Sequence, residues 1–111
     1  MKKLSILLSI ILISFACKNN NTPKGILEKN QMTDILIDIH RLEAKIAVKN
    51  LPNDSSKLYY YKLQEEIFKS YHTDSAKFNN SFRYYLSNGA AFDNIYASVV
   101  DSLSLEEVQQ K

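Results

Sequence analysis

A few places in this 111-residue chain hold side chains whose type and spacing suit chemistry. His40 and Glu43 stand three residues apart, which brings an imidazole and a carboxylate together on one helix face. Such a pair can move protons or supply two ligands to a metal. A metal site between helices needs further ligands on the facing elements, and Glu65, Glu66, His72 and Asp74 are the residues available there. On a helical wheel centred on Met32, Glu43 falls inside the apolar stripe and His40 at its shoulder. The expected role is a hydrogen-bonded polar pair that fixes how the first helix packs, with metal or acid–base work as the alternative. Ser81 has no histidine close in sequence and no G-x-S-x-G turn around it, so it reads as a small residue that lets helices approach. No catalytic constellation, and hence no enzyme and no cofactor, is expected.

Cys17 is the only cysteine of the chain. It follows two lysines, Lys2 and Lys3, and an apolar run from Leu4 to Phe15 that is relieved only by serines. Twelve residues make a helix of roughly 18 Å, too short for a bilayer core of about 30 Å. A charged start, a short apolar middle and the small residues Ser14 and Ala16 are the parts of a secretory signal. Ala16-Cys17 resembles the end of a bacterial lipoprotein signal, in which the thiol receives a diacylglycerol and the chain is cut just before it. That resemblance implies a signal peptide over residues 1–16 and lipidation at Cys17. It also implies a membrane association made through acyl chains, of which more than one is needed for stable anchoring. A free exposed thiol in an oxidising compartment would be a liability.

Removing residues 1–16 takes Lys2 and Lys3 away, leaving 12 basic and 12 acidic residues. A neutral chain with no clustered Lys or Arg has no footprint for nucleic acid. With Cys17 acylated there is no thiol left for disulfides or metals. The remaining length suits one small domain that depends on its apolar core alone. Residues 17–25 read as a flexible tether, polar and carrying Pro23 and Gly25. In some Bacteroidota lipoproteins acidic residues just after the cysteine direct export to the cell surface; this tether has none, so the lipoprotein resemblance implies a periplasm-facing position at the outer membrane.

The domain expected over residues 26–107 is all-α, a small bundle of four helices, one long and three shorter. Two glycines and two prolines in the whole chain, and no alternating pattern, leave no room for strands. Met32, Ile35, Ile39, Leu42 and Ile46 step by three and four along the first helix, expected over 27–49. Pro52 breaks it, and Asp54 or Ser55 is placed to cap the second helix, 55–71. Thr73 or Asp74 caps a third over 74–87, with Phe78, Phe82 and Tyr85 as its stripe. Gly89 reads as a left-handed end to that helix. The fourth, 90–103, carries Phe92, Ile95, Tyr96, Val99 and Leu103.

Seven tyrosines exceed what a core of this size needs. Adjacent tyrosines point around a helix, so Tyr59, Tyr60, Tyr84 and Tyr85 are candidates for a partner-binding surface. An unidentified envelope protein is the expected partner, with a small ligand in an aromatic-lined groove as the alternative. Asp38, His40, Glu43 and Ala44, then Phe78, Ser81, Tyr84 and Tyr85, then Ile95, Tyr96 and Val99 resemble the domain-of-unknown-function 4296 family of small Bacteroidota lipoproteins. The matching pattern is D-x-H-x-x-E/A, F-x-x-S-x-x-Y-Y and I-Y-x-x-V, and it covers nearly the whole mature chain. The resemblance implies a fold and an envelope location and carries no activity. Ser75 and Ser102, each between Asp and an apolar residue, resemble the D-S/T-apolar site of Bacteroidota O-glycosylation.

Overall fold

The computed structural model describes residues 22–109, so Cys17 and the expected signal peptide lie outside the described residues. Helices α1 (Lys29–Val48), α2 (Asn53–Ser70), α3 (Ser75–Ser87) and α4 (Gly89–Gln109) follow one another, and no strand occurs among the described residues. The chain is thus a small all-α bundle, as the glycine and proline counts require. The fourth helix runs 21 residues against 20 for the first, longer than its apolar stripe suggested. Nothing after Gly89 breaks it: no glycine or proline follows.

Each connection has a local cause. The end of the expected tether is part of the domain. Ile26 N–H donates to Pro23 C=O at 3.2 Å, closing a turn in which Gly25 takes φ +85°. That is the left-handed value the third position of such a turn requires. Helix α2 starts directly after Pro52, whose carbonyl accepts the N–H of Ser56 at 2.9 Å. Its other end closes on His72 at φ +56°. There the N–H of Thr73 donates to Phe68 C=O and that of His72 to Lys69 C=O, at 2.9 and 3.0 Å. This paired pattern satisfies carbonyls that a helix end otherwise orphans. Asp74 caps α3 by accepting from Lys77 N–H at 2.8 Å, as expected. Gly89 is not a left-handed cap: a single residue, Asn88, separates α3 from α4, and Gly89 is already the first residue of α4.

Helix α1 is the hub. Its stripe residues Met32, Ile35, Ile39 and Leu42 are buried, and so are Leu36 and Ile37 off that stripe. A helix covered on two sides needs an apolar arc wider than one stripe. Ile95 and Val99 of α4, Phe78 and Tyr85 of α3 and Phe68 of α2 close the core. Phe68 is the only fully buried residue of α2. The contacts Lys49–Tyr59 and Asp38–Tyr71 make α1 and α2 antiparallel. Helices α1 and α4 advance together: Lys29 and Thr33 face Asn94 and Ala97 across a polar groove, and Arg41 meets Glu106 farther along.

Candidate functional site

Two polar assemblies hold this core, and both contain residues of the sequence pattern. The first clamps the chain just ahead of α1. Leu27, 2% exposed, donates its N–H to Ser81 Oγ at 2.8 Å and accepts the Tyr85 hydroxyl on its carbonyl at 2.6 Å. Ser81 in turn donates to Lys77 C=O at 2.6 Å. Ser81 and Tyr85 are one helical turn apart on α3, so their hydroxyls project to the same side. Phe78, one turn earlier, is buried beneath them against Phe68, with ring centres 5.0 Å apart. The F-x-x-S-x-x-Y-Y pattern is therefore a docking rail for the segment entering the first helix. Ser81 is fully buried and does more than permit close approach: it is a hydrogen-bonding partner.

The second assembly ties three helices together on the surface. Asp38 accepts the Tyr71 hydroxyl at 2.5 Å and an Arg41 guanidinium N–H at 2.9 Å. Arg41 also donates through Nε to Glu106 at 3.0 Å and contacts the same carboxylate through Nη2. A guanidinium forked onto a carboxylate fixes orientation as well as distance. The Arg41 guanidinium holds the Glu106 carboxyl below its ordinary value of 4.5. Burial, reinforced by the hydrogen bond to Asp38, pushes the Tyr71 hydroxyl well up. Gln31 adds a hydrogen bond to Tyr71 C=O at 3.0 Å. None of Arg41, Glu106, Tyr71 and Gln31 was a sequence-level candidate, because the pairs lie 33 to 65 residues apart and no spacing rule reaches that far.

His40 and Glu43 do touch, with Nδ1 and Oε2 3.0 Å apart. Glu43, however, is not in the buried stripe; its side chain is 50% exposed. The core ends at Leu42, and one residue on, Glu43 borders an open groove with Tyr60 and Tyr61 of α2. The imidazole meets the ring of Tyr96 edge-on at 6.1 Å. Among the described residues no group of three His, Cys, Asp or Glu side chains is placed to hold a metal. His72 serves α2 as its left-handed end, and Asp74 is occupied capping α3.

The tyrosines separate into two sets. Tyr85 is buried and hydrogen-bonded to Leu27, and Tyr84 is half-buried with its ring against that of Tyr85. Tyr85 is thus spent in the core and the Leu27 clamp, while Tyr84 packs against it and keeps part of its surface open. Tyr59, Tyr60 and Tyr61 lie on a two-helix arm built from the end of α1 and the start of α2, and Tyr61 also borders a groove shared with Thr73, Asp74 and Ser75 at the start of α3. Tyr60 is half-buried and accepts from Gln64 at 3.1 Å. Lys49 sits 4.8 Å over the Tyr59 ring and donates to its hydroxyl. Tyr61, which the sequence reading passed over, is the most open of the three at 62%. With Leu58 at 75% and Val48 at 82% it leaves the arm conspicuously apolar for a solvated element. A groove of about 550 Å³ between α1 and α2 is lined by Arg41, Lys45, Tyr59 and Leu63. A second, of about 300 Å³, lies against Ile46, Ala47, Tyr60 and Tyr61. Ser75 is exposed at the first turn of α3, whereas Ser102 is half-buried within α4.

The fold and these assemblies define a small helical domain whose polar clusters brace its structure and whose open face is an apolar arm. Residues 23–109 match the domain of unknown function DUF4296, and the chain belongs to that family. No curated protein and no solved structure matches it.

Proposed function

We propose that this chain is an envelope protein tethered to a membrane by lipid on Cys17, acting by binding a protein partner and not by catalysis. The short apolar run ending at Ala16-Cys17 supports the anchor. No helix among the described residues is long and apolar enough to cross a membrane. The outer membrane, with the domain facing the periplasm, is the location that accords with a tether free of acidic residues.

The observation that carries the binding role is the exposure of Leu58 and Tyr61 on an arm that contributes nothing fully buried before Phe68. Apolar side chains held out by a rigid scaffold mark interaction surfaces. The Leu27 clamp supports this reading as well. It fixes the tether at the start of α1, and 20 residues at about 1.5 Å carry the arm roughly 30 Å beyond it.

Fractionation of cells making the Cys17→Ala chain tests the anchor: the protein leaves the membrane fraction, and unchanged pelleting overturns it. A Leu58→Ser/Tyr61→Ser chain tests the arm. It keeps its helical circular dichroism and loses whatever envelope protein co-purifies with the parent; retention of that protein overturns the arm as the binding surface.

A further inference from the structure

We infer that the corner where α3 meets α4, from Leu86 to Ala90, rests on the phospholipid surface that holds the acylated Cys17, with the arm pointing away from it. This rests on the anchor proposed above and adds to it a second, non-covalent contact.

Where the chain leaves the bundle fixes the distance. Thr22 is the first described residue, and its side chain meets the Tyr85 hydroxyl that also holds Leu27. The Pro23–Ile26 turn folds the residues between them back on themselves. Thr22 follows Cys17 by five residues, a reach of at most about 18 Å. The acyl chains are therefore tied to the end of α3 that carries Tyr85, and Leu86 is the next residue. Helix α4 starts at the same end, since Asn94 and Ala97 lie across from Lys29 and Thr33 at the start of α1. The arm tip lies at the opposite end of α1, 20 residues farther on, which is roughly 30 Å.

The corner suits such a surface. Tyr84 to Phe92, bounded by Arg83 and Asp93, is the longest uncharged run between residues 22 and 109. Within it Leu86 to Ala90 are all exposed, Leu86 at 55%. An added Cβ at Gly89 would meet nothing within 4 Å, so the bundle leaves this corner open. A charged group loses its hydration against a membrane, whereas a leucine, and a tyrosine with its hydroxyl wet, suit the interface. On the arm, by contrast, Lys57 and Lys62 flank Leu58 and Tyr61. The charges around the corner offset one another: Arg83 against Asp93 at the ends of the run, Lys24 against Glu28 ahead of α1. The contact is thus apolar and needs no anionic headgroup. It is small, and the anchor makes it intramolecular, so few side chains suffice.

The test uses the full acylated chain in phosphatidylcholine vesicles that carry a shallow nitroxide lipid as quencher. A fluorophore is placed on Ala90→Cys or on Val48→Cys, both exposed positions, with Cys17 blocked by its acyl chains. Quenching is severalfold greater at position 90 than at position 48, and neither salt nor anionic lipid changes it. Adding Leu86→Glu to the Ala90→Cys chain cuts quenching to the level seen at position 48. The acyl chains keep that variant on the vesicles, and circular dichroism verifies its fold. Equal quenching at the two positions, greater quenching at position 48, a requirement for anionic lipid, or no effect of Leu86→Glu overturns the inference and leaves the anchor standing. So does a label at position 90 that is shielded from aqueous iodide without lipid quenching, the mark of a protein cover. A mature chain whose intact mass shows no acyl group on Cys17 overturns the anchor and this contact together.

Discussion

Ser81 on α3 accepts the backbone N–H of Leu27 at 2.8 Å across 54 residues of sequence, and the pair is fully shielded from water. The Tyr85 hydroxyl completes the hold from the carbonyl side. One buried residue has both of its backbone polar groups satisfied by side chains of another helix, which is how an irregular segment can sit in an apolar core.

Removing one side of this hold leaves a buried donor or acceptor alone, a cost of about 1–3 kcal/mol. Ser81→Ala and Tyr85→Phe each lower unfolding stability by that amount in urea titrations. The double variant loses less than the sum, because both act on Leu27. Losses under about 0.5 kcal/mol, the range of an ordinary surface change, would mean the clamp contributes little.

Glu106 contributes to stability through its depressed carboxyl. A group whose folded value lies below its unfolded one stabilises above the unfolded value, and that contribution disappears as pH falls through the folded value. The melting temperature therefore drops on acidification below 4.5, and Glu106→Gln removes part of that drop. Parallel acid profiles for the two chains would dissociate the contact from stability.

Burial raises the hydroxyls of Tyr60, Tyr71, Tyr85 and Tyr96 above 10.0. Here the sign is the reverse: the stabilisation is complete below 10.0 and is lost as pH rises toward the folded values. Ionised Tyr85 can no longer donate to Leu27. Alkaline unfolding beginning above pH 10.0 is expected, with a shallower slope in Tyr85→Phe and Tyr71→Phe. Equal slopes in parent and variants would contradict this.

The two glycines answer oppositely to alanine. Gly25 is left-handed at φ +85°, so Gly25→Ala costs about 1–2 kcal/mol. Gly89 opens α4 with nothing within 4 Å of an added Cβ, so Gly89→Ala adds about 0.4–1 kcal/mol of stability. Calorimetry on both variants gives the signs directly.

Ile35, with no exposed surface, lies on the side of α1 that the whole core shares. Ile35→Ala lowers stability by about 2–5 kcal/mol. Val100→Ala, at 57% exposure, changes it by less than about 0.5 kcal/mol. Equal effects would place the core elsewhere.

Local rules carried much of this description. The three- and four-residue steps from Met32 to Leu42, the stop at Pro52 and the Asp74 cap each follow from contacts within a turn or two of helix, and the sequence states those contacts outright. A buried serine beside Phe78 also left a signal: an apolar face tolerates a hydroxyl only when it has a partner, and Tyr85 one turn on shares its direction. Spacing along the chain has no means of naming that partner as Leu27, or of pairing Arg41 with Glu106. The burial of Leu36 and Ile37 and the exposure of Glu43 depend in the same way on which helices lie beside α1 and where they end. Amino-acid order by itself determined the helices, their main stripes and most of their stops, because those energies are local. Tertiary structure alone decided which polar groups meet, which tyrosines are spent in the core and which stay open, because burial belongs to neighbours brought together from distant parts of the chain.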